Sequence, residues 1–344
     1  MRRVSILAVF TAIFVVATCL AQTDKTLSDS KAGLKRVSSA LLAAAQDPAP
    51  PPQATGRGAG GRGGFGGPIE LGPDDKPAFP DPPAGFNTKR EDVPHGELTP
   101  VEYDSKSLGT RRRMRIYTPP GYTTNRKYPV LYLLHGIGGT DTEWTEACHA
   151  NTIIDNLLAE GKIQPMVLVF PDGNSSRTVA DLAAGGRGAG AGARGAAGRM
   201  GMDAWLAPFE TDLLKDIIPY VDSHYSVYAD RDRRALAGLS MGGGQTLNIG
   251  LVHPETFAWV AGFSSAPDTR QPPSALVPDP AVPKQLKLIW LACGNKDGLI
   301  RISQAVHNYL KENGVPHIWH VDGNAHDTTE WDNNLYLFSQ RIFK

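Results

Sequence analysis

RALAGLSMGGGQT, Arg234–Thr246, decides how the rest of the chain is read. Its opening residues read as a short apolar strand. Gly238-Leu239-Ser240-Met241-Gly242 then spells G-x-S-x-G, followed by two more glycines and a helical stretch. A serine in a strand–turn–helix context of this kind sits on a tight turn with a strained backbone. A bulky residue on either side would collide with the neighbouring strand and helix. The turn lifts the hydroxyl to a helix amino terminus, where N–H groups and the helix dipole favour developing negative charge. Ser240 is therefore the expected nucleophile.

Outward from this turn, short apolar runs alternate with helical periods. Strands are expected at Val130–Leu134, Met166–Phe170, Arg234–Leu239, Trp259–Phe263, Leu286–Ala292 and His317–Val321, with a hairpin of Thr99–Ser105 and Arg111–Thr118 before them. Helices are expected at Thr152–Glu160, at Phe209–Tyr225 with one apolar face, and at Ile302–Asn313, stopped by Gly314. Near-continuous apolar strands alternating with amphipathic helices imply an α/β fold, a mostly parallel central sheet covered by helices on both faces. Chemistry in such sheets lies at the carboxyl ends of the strands.

A serine alcohol is a weak nucleophile and needs a base, which an acid must orient. The expected order is serine, acid, histidine. The strand ending at Cys293 opens into Gly294-Asn295-Lys296-Asp297-Gly298, and the last strand opens into Asp322-Gly323-Asn324-Ala325-His326-Asp327. Asp297 is the expected acid, with Asp268 and Asp322 as rivals. His326 is the expected base, since His317 and His320 fall inside the last strand. The oxyanion donors are expected at Met241 N–H and at Ile137 N–H, in the loop His135-Gly136-Ile137-Gly138-Gly139. His135 ends a strand and reads as structural. Trp144 and Trp331 leave the same edge of the sheet and are candidates for substrate contact, because a Trp face suits a sugar ring or a phenolic acyl group. The alternative is that both pack beneath their loops. No metal or cofactor signature appears, so the cofactor expectation is none.

The chain has 344 residues, with 35 Lys+Arg against 35 Asp+Glu and 41% hydrophobic residues. Zero net charge gives no general pull toward nucleic acid or an anionic membrane. Arg2 and Arg3 followed by an apolar run to Leu20 read as a secretory leader over 1–21, which places the mature protein outside the cytoplasm, secreted or periplasmic and with no membrane partner once the leader is cleaved. Residues 22–96 are Pro- and Gly-rich and read as a flexible tether. The catalytic domain is expected over 97–344, interrupted by a Gly/Ala/Arg insertion at about 183–202. Beyond the leader the cysteines are Cys148 and Cys293. A disulfide is conceivable outside the cytoplasm, although the apolar run before Cys293 favours a buried free thiol.

YPVLYLLHGIGGTDTEW (128–144), IIPYVDSHYSVYADRDRRALAGLSMGGGQ (217–245), LACGNKD (291–297) and GNAHD (323–327) together resemble the esterase D/feruloyl esterase group of α/β-hydrolases, in particular carbohydrate esterase family one. The likeness runs from about Pro94 to the end of the chain. It implies the α/β-hydrolase fold, a Ser240–Asp297–His326 triad, oxyanion donors at Ile137 and Met241, and a serine esterase, which the leader makes a secreted one. Feruloyl or acetyl groups on plant polysaccharide are the implied substrates. The same group contains small-ester hydrolases, siderophore esterases and acyltransferases, so the resemblance leaves the substrate open.

Overall fold

Along each central strand, alternate side chains enter two separate cores, as a pleated backbone requires when both faces are covered. On one face Tyr132, Leu236, Val260 and Leu291 meet Phe209, Leu247 and Val306. On the other, Leu133, Ala237, Phe263 and Trp290 meet Ile154, Leu157 and Phe338. The computed structural model describes residues 68–176, 178–179, 203–265, 269–270 and 272–344. The expected leader (1–21), the tether as far as residue 67 and the insertion (about 183–202) lie outside the described residues.

The described residues form an eight-stranded sheet of order β1-β2-β4-β3-β5-β6-β7-β8. The strands are β1 (Glu97–Ser105), β2 (Thr110–Thr118), β3 (Val130–Leu134), β4 (Val167–Pro171), β5 (Arg234–Leu239), β6 (Trp259–Phe263), β7 (Leu288–Gly294) and β8 (Ile318–Asp322). β1 and β2 pair antiparallel, as do β2 and β4, and every other pair is parallel. The helices are α1 (Glu143–Glu146), α2 (Ala150–Ala159), α3 (Asp203–Asp212), α4 (Ile218–His224), α5 (Ser240–Gly250), α6 (Pro273–Leu276), α7 (Ile300–Glu312) and α8 (Thr328–Ser339). A π-helical turn, Leu213–Ile217, joins α3 to α4. The architecture is the expected one, an α/β-hydrolase sheet, with strand ends displaced by a residue or two.

Two findings concern the expected domain organisation. Residues 68–96, expected as part of a flexible tether, lie against the domain instead. Lys76 O accepts from Val321 N on edge strand β8 at 3.2 Å. Phe79 stacks on Trp290 with centroids 5.4 Å apart, and the Arg341 guanidinium lies 3.6 Å from the Phe79 ring centroid. Phe86 meets Tyr336 edge-on, and Asn156 Nδ2 donates to Phe86 O and Thr88 O at 2.9 Å each. Average composition hides such anchors, because a few aromatics at fixed places suffice to pin a Pro-rich segment onto a preformed surface. The segment also covers part of a sheet edge that would otherwise offer unpaired backbone. The second finding is that Cys148 and Cys293 are both free and buried. They belong to cores on opposite faces of the sheet, which rules out a bridge.

Candidate active site

The site grows from the β5–α5 turn. Ser240 has φ 51°, a left-handed conformation that costs a non-glycine residue energy and persists only where the surroundings enforce it. The enforcement comes from close packing. A Cβ on Gly238 would lie 2.2 Å from Gly242 O, and one on Gly242 would lie 2.3 Å from Leu134 O. Only glycine allows these backbones to approach, which accounts for both ends of the G-x-S-x-G motif. Every residue of α5 is buried, so the serine stands on a rigid post. Its side chain is at the carboxyl edge of the sheet.

Asp297 and His326 arrive from the loops after β7 and β8. Backbone bonds tie these loops together: Asn295 N donates to Asp322 O at 2.9 Å and Lys296 N to Asn324 O at 3.0 Å. Gly294 permits the contact, since a Cβ there would lie 2.2 Å from Asn324 O. Beyond His326, Asp327 caps α8, its side chain accepting from Thr329 N and Glu330 N. The base is thus held between a zipped loop and a capped helix.

The three side chains meet. His326 Nδ1 lies 2.7 Å from Asp297 Oδ2 and His326 Nε2 lies 3.0 Å from Ser240 Oγ. An ionised carboxylate only accepts, so Nδ1–H donates to Asp297 and leaves Nε2 to accept from the serine hydroxyl. Asp297 is 1% exposed, and its Oδ1 accepts from Leu299 N at 2.8 Å. Burial alone would raise its pKa. The hydrogen bond and charge of His326, with Leu299 N–H and Ser264, outweigh burial and hold the carboxyl below its usual range. Asp297 therefore carries its negative charge at neutral pH.

Ile137 and Met241 flank the serine. Met241 is the second residue of α5, where first-turn N–H groups lack partners within the helix. Ile137 follows Gly136, whose Cβ position would fall 3.4 Å from Ser240 Cβ. Glu143, which the sequence reading passed over, braces this loop. Its Oε2 accepts from Gly136 N at 2.7 Å, and a Cβ on Gly139 would strike it at 2.3 Å. No motif marks Glu143, because the relation exists only once α1 folds back on the loop. His135 is buried beneath the loop between Gly136 O, Asp172 Oδ1 and Gly173 N. That is a structural place.

The rivals fall elsewhere. Asp322 accepts from Asn324 N at 2.9 Å and Asn324 Nδ2 at 2.7 Å, and so shapes the turn that carries His326. His320 accepts from Ala78 N, and His317 Nε2 lies 2.8 Å from His307 Nδ1. Asp268 lies outside the described residues. Of the two tryptophans, Trp144 is 1% exposed, donates Nε1–H to Leu134 O at 3.0 Å and meets Phe263 edge-on. The expectation that it contacts substrate is corrected: it is core. Trp331 is also buried, and its ring stands at 87° to His326 with centroids 5.2 Å apart. It touches the base and offers no open face.

A serine set between an oriented imidazole and helix-end N–H groups can attack a carbonyl carbon and stabilise the oxyanion that results. Comparison with known proteins gives a consistent picture. A family model described as "Putative esterase" matches residues 105–340. An endo-1,4-beta-xylanase/feruloyl esterase of Xylanibacter ruminicola is 32% identical over 268 residues, 75% of this chain and 33% of that protein. The chain spans a third or less of the length of the curated relatives it matches. Among solved structures, a carbohydrate esterase family one ferulic acid esterase from the anaerobic fungus Anaeromyces mucronatus is 26% identical, with TM-score 0.64, covering 76% of this chain and 96% of that one. Its complex with ferulic acid aligns at 25% identity with TM-score 0.62 over the same shares.

Proposed function

The chain belongs to this esterase family, and from that premise we propose that it is a serine esterase cleaving carboxylic esters through an acyl-enzyme, acting on feruloyl or acetyl esters of plant polysaccharide outside the cytoplasm. The observation that carries the reading is the continuous hydrogen-bonded line from Ser240 through His326 to Asp297. In the first half-reaction Ser240 Oγ attacks the ester carbonyl while its proton passes to His326 Nε2. Asp297 holds the imidazole in place and balances the imidazolium. The N–H groups of Ile137 and Met241 receive the oxyanion. His326 then protonates the leaving alcohol, and in the second half-reaction it activates the water that releases the acid.

The feruloyl preference rests on relatives: one is named a xylanase/feruloyl esterase and another was solved with ferulic acid. The extracellular setting rests on the leader-like residues 1–21. The test is a panel of acetyl, butyryl, coumaroyl and feruloyl esters given to the purified protein and to Ser240→Ala. Turnover of feruloyl or acetyl esters, abolished by the substitution, is expected. No turnover of any ester, or turnover that survives Ser240→Ala, would overturn the reading. Amino-terminal sequencing of the exported protein tests the leader, with cleavage near Ala21 expected.

A further inference from the structure

The loop that follows β3 is held at both of the peptides that flank Gly136. On the amino side, Gly136 N–H donates to Glu143 Oε2 at 2.7 Å. On the carboxyl side, Gly136 O lies 2.7 Å from His135 Nδ1 and accepts from Gly139 N at 3.0 Å. A carbonyl only accepts, so His135 Nδ1–H is the donor. The Gly139 bond closes a β-turn whose third residue, Gly138, has φ 80°, the left-handed value that glycine allows. The two side chains are themselves fixed. Next to Glu143, Trp144 is buried and bonded to Leu134 O at 3.0 Å, and the other nitrogen of His135 lies against Asp172 and Gly173.

A trans peptide is planar, and its C=O and N–H point in opposite directions. Gly136 O turns toward the buried His135 ring, so Ile137 N–H turns to the opposite side. Ile137 is exposed, and its N–H meets no hydrogen-bond partner among the described residues. The loop abuts the nucleophile, since a Cβ on Gly136 would lie 3.4 Å from Ser240 Cβ. Where this N–H points depends on two rotations, φ and ψ of Gly136, and glycine by itself restrains neither. Glu143 fixes the peptide before Gly136 and His135 the peptide after it, so both rotations are set from outside the loop.

We propose that Glu143 is a positioning residue for the oxyanion hole, a role that rests on the serine-esterase reading: working against His135, it locks the two peptides around Gly136 and so aims Ile137 N–H at the carbonyl oxygen of an ester attacked by Ser240. Without Glu143, the His135–Gly136 peptide is free to turn, and its turning carries Ile137 N–H off line. A donor of this kind is effective because it is aimed before the charge develops. The loss therefore falls on the transition state, where the oxygen is charged, and spares the bound ester.

Glu143 is half-buried, so water can replace its side chain and the fold is expected to stand. Glu143→Ala is expected to lower kcat by about 10²-fold, the lower end of what losing one oxyanion donor costs, with KM and melting temperature little changed. Glu143→Gln keeps an oxygen acceptor at that place and is expected to restore most of kcat. Gly139→Ala strikes the same clamp from the other side. Its methyl would lie 2.3 Å from Glu143 Oε2 and 3.1 Å from His135 Nδ1, and it is expected to lower kcat in the same way. An aryl trifluoromethyl ketone gives a second readout. Ser240 Oγ adds to its carbonyl carbon, the π electrons move to oxygen and the serine proton to His326 Nε2, so the adduct holds an oxyanion. Glu143→Ala is expected to weaken this inhibitor by the factor that kcat/KM loses. Unchanged kcat and inhibition in Glu143→Ala and Gly139→Ala overturn the proposal, as does a rise in KM alone or a loss that only follows a lowered melting temperature. A wild-type chain that turns over no ester fails the serine-esterase reading and the proposal with it, whereas variants that match an active wild type fail the proposal alone.

Discussion

Gly242 presses its bare Cα against the carboxyl end of β3, so that a methyl group there would sit 2.3 Å from the carbonyl oxygen of Leu134. Through this contact the helix that carries Ser240 and the strand that leads to the oxyanion loop are fixed to each other. Ser240 and the loop proposed to carry an oxyanion donor therefore share one rigid frame. Gly242→Ala is expected to abolish activity and to lower the melting temperature, because the clash is with backbone and no side chain can swing away. A variant with wild-type Tm and kcat/KM would show that the frame yields.

Ser240→Ala and His326→Ala are each expected to lower kcat by about 10⁴–10⁶-fold, and Asp297→Asn by somewhat less. The losses are expected not to add, since the three side chains form one hydrogen-bonded unit. Single-turnover kinetics of the double variant Ser240→Ala/His326→Ala checks this. A double loss equal to the product of the single losses would mean that the residues act separately.

Asp297 also links stability to pH. Its folded pKa lies below the unfolded value, so its stabilising contribution is present above about pH 4 and is lost as pH falls through the lowered folded value. Wild type is expected to melt above Asp297→Asn at neutral pH, with the gap closing below about pH 4. Calorimetry across pH 3–7 measures it, and a gap that widened in acid would reverse the assigned sign.

The two tryptophans are expected to separate. Trp144→Ala removes a fully buried side chain and a bond to Leu134 O. It is expected to cost about 3–5 kcal/mol and to impair all esters alike. Trp331 stands against His326, so Trp331→Leu is expected to lower kcat for small and large acyl groups equally, with little change in KM. A loss confined to feruloyl esters would return Trp331 to the substrate.

Phe79 stacks on Trp290, and the Arg341 guanidinium lies over both rings, 3.6 Å from the Phe79 centroid and 5.5 Å from that of Trp290. Phe79→Ala is expected to destabilise the domain by about 2 kcal/mol, with kcat/KM little altered at temperatures below the transition. An unchanged melting temperature would make residues 68–96 a passive attachment.

Much of this protein is legible in one dimension. The strand runs, the elbow around Ser240 and the order of Asp297 and His326 are local signals. Each depends on a few consecutive residues, and parallel strands deliver their loops to one edge whatever the details of packing. The sheet, its two-sided covering and the meeting of three side chains follow from that regularity. The tertiary structure alone decided the rest. Trp144 reads like a site residue until its indole is found bonded to Leu134 O, ten residues back in the chain. Residues 68–96 read as a tether until Phe79 finds Trp290 and Lys76 finds Val321. Glu143 carries no motif at all, and it acts by folding onto Gly136. Side-chain charge state and exposure depend on neighbours distant in sequence, and composition or periodicity cannot report them. Turn geometry and strand pattern depend on neighbours in the chain itself, and so can be read directly.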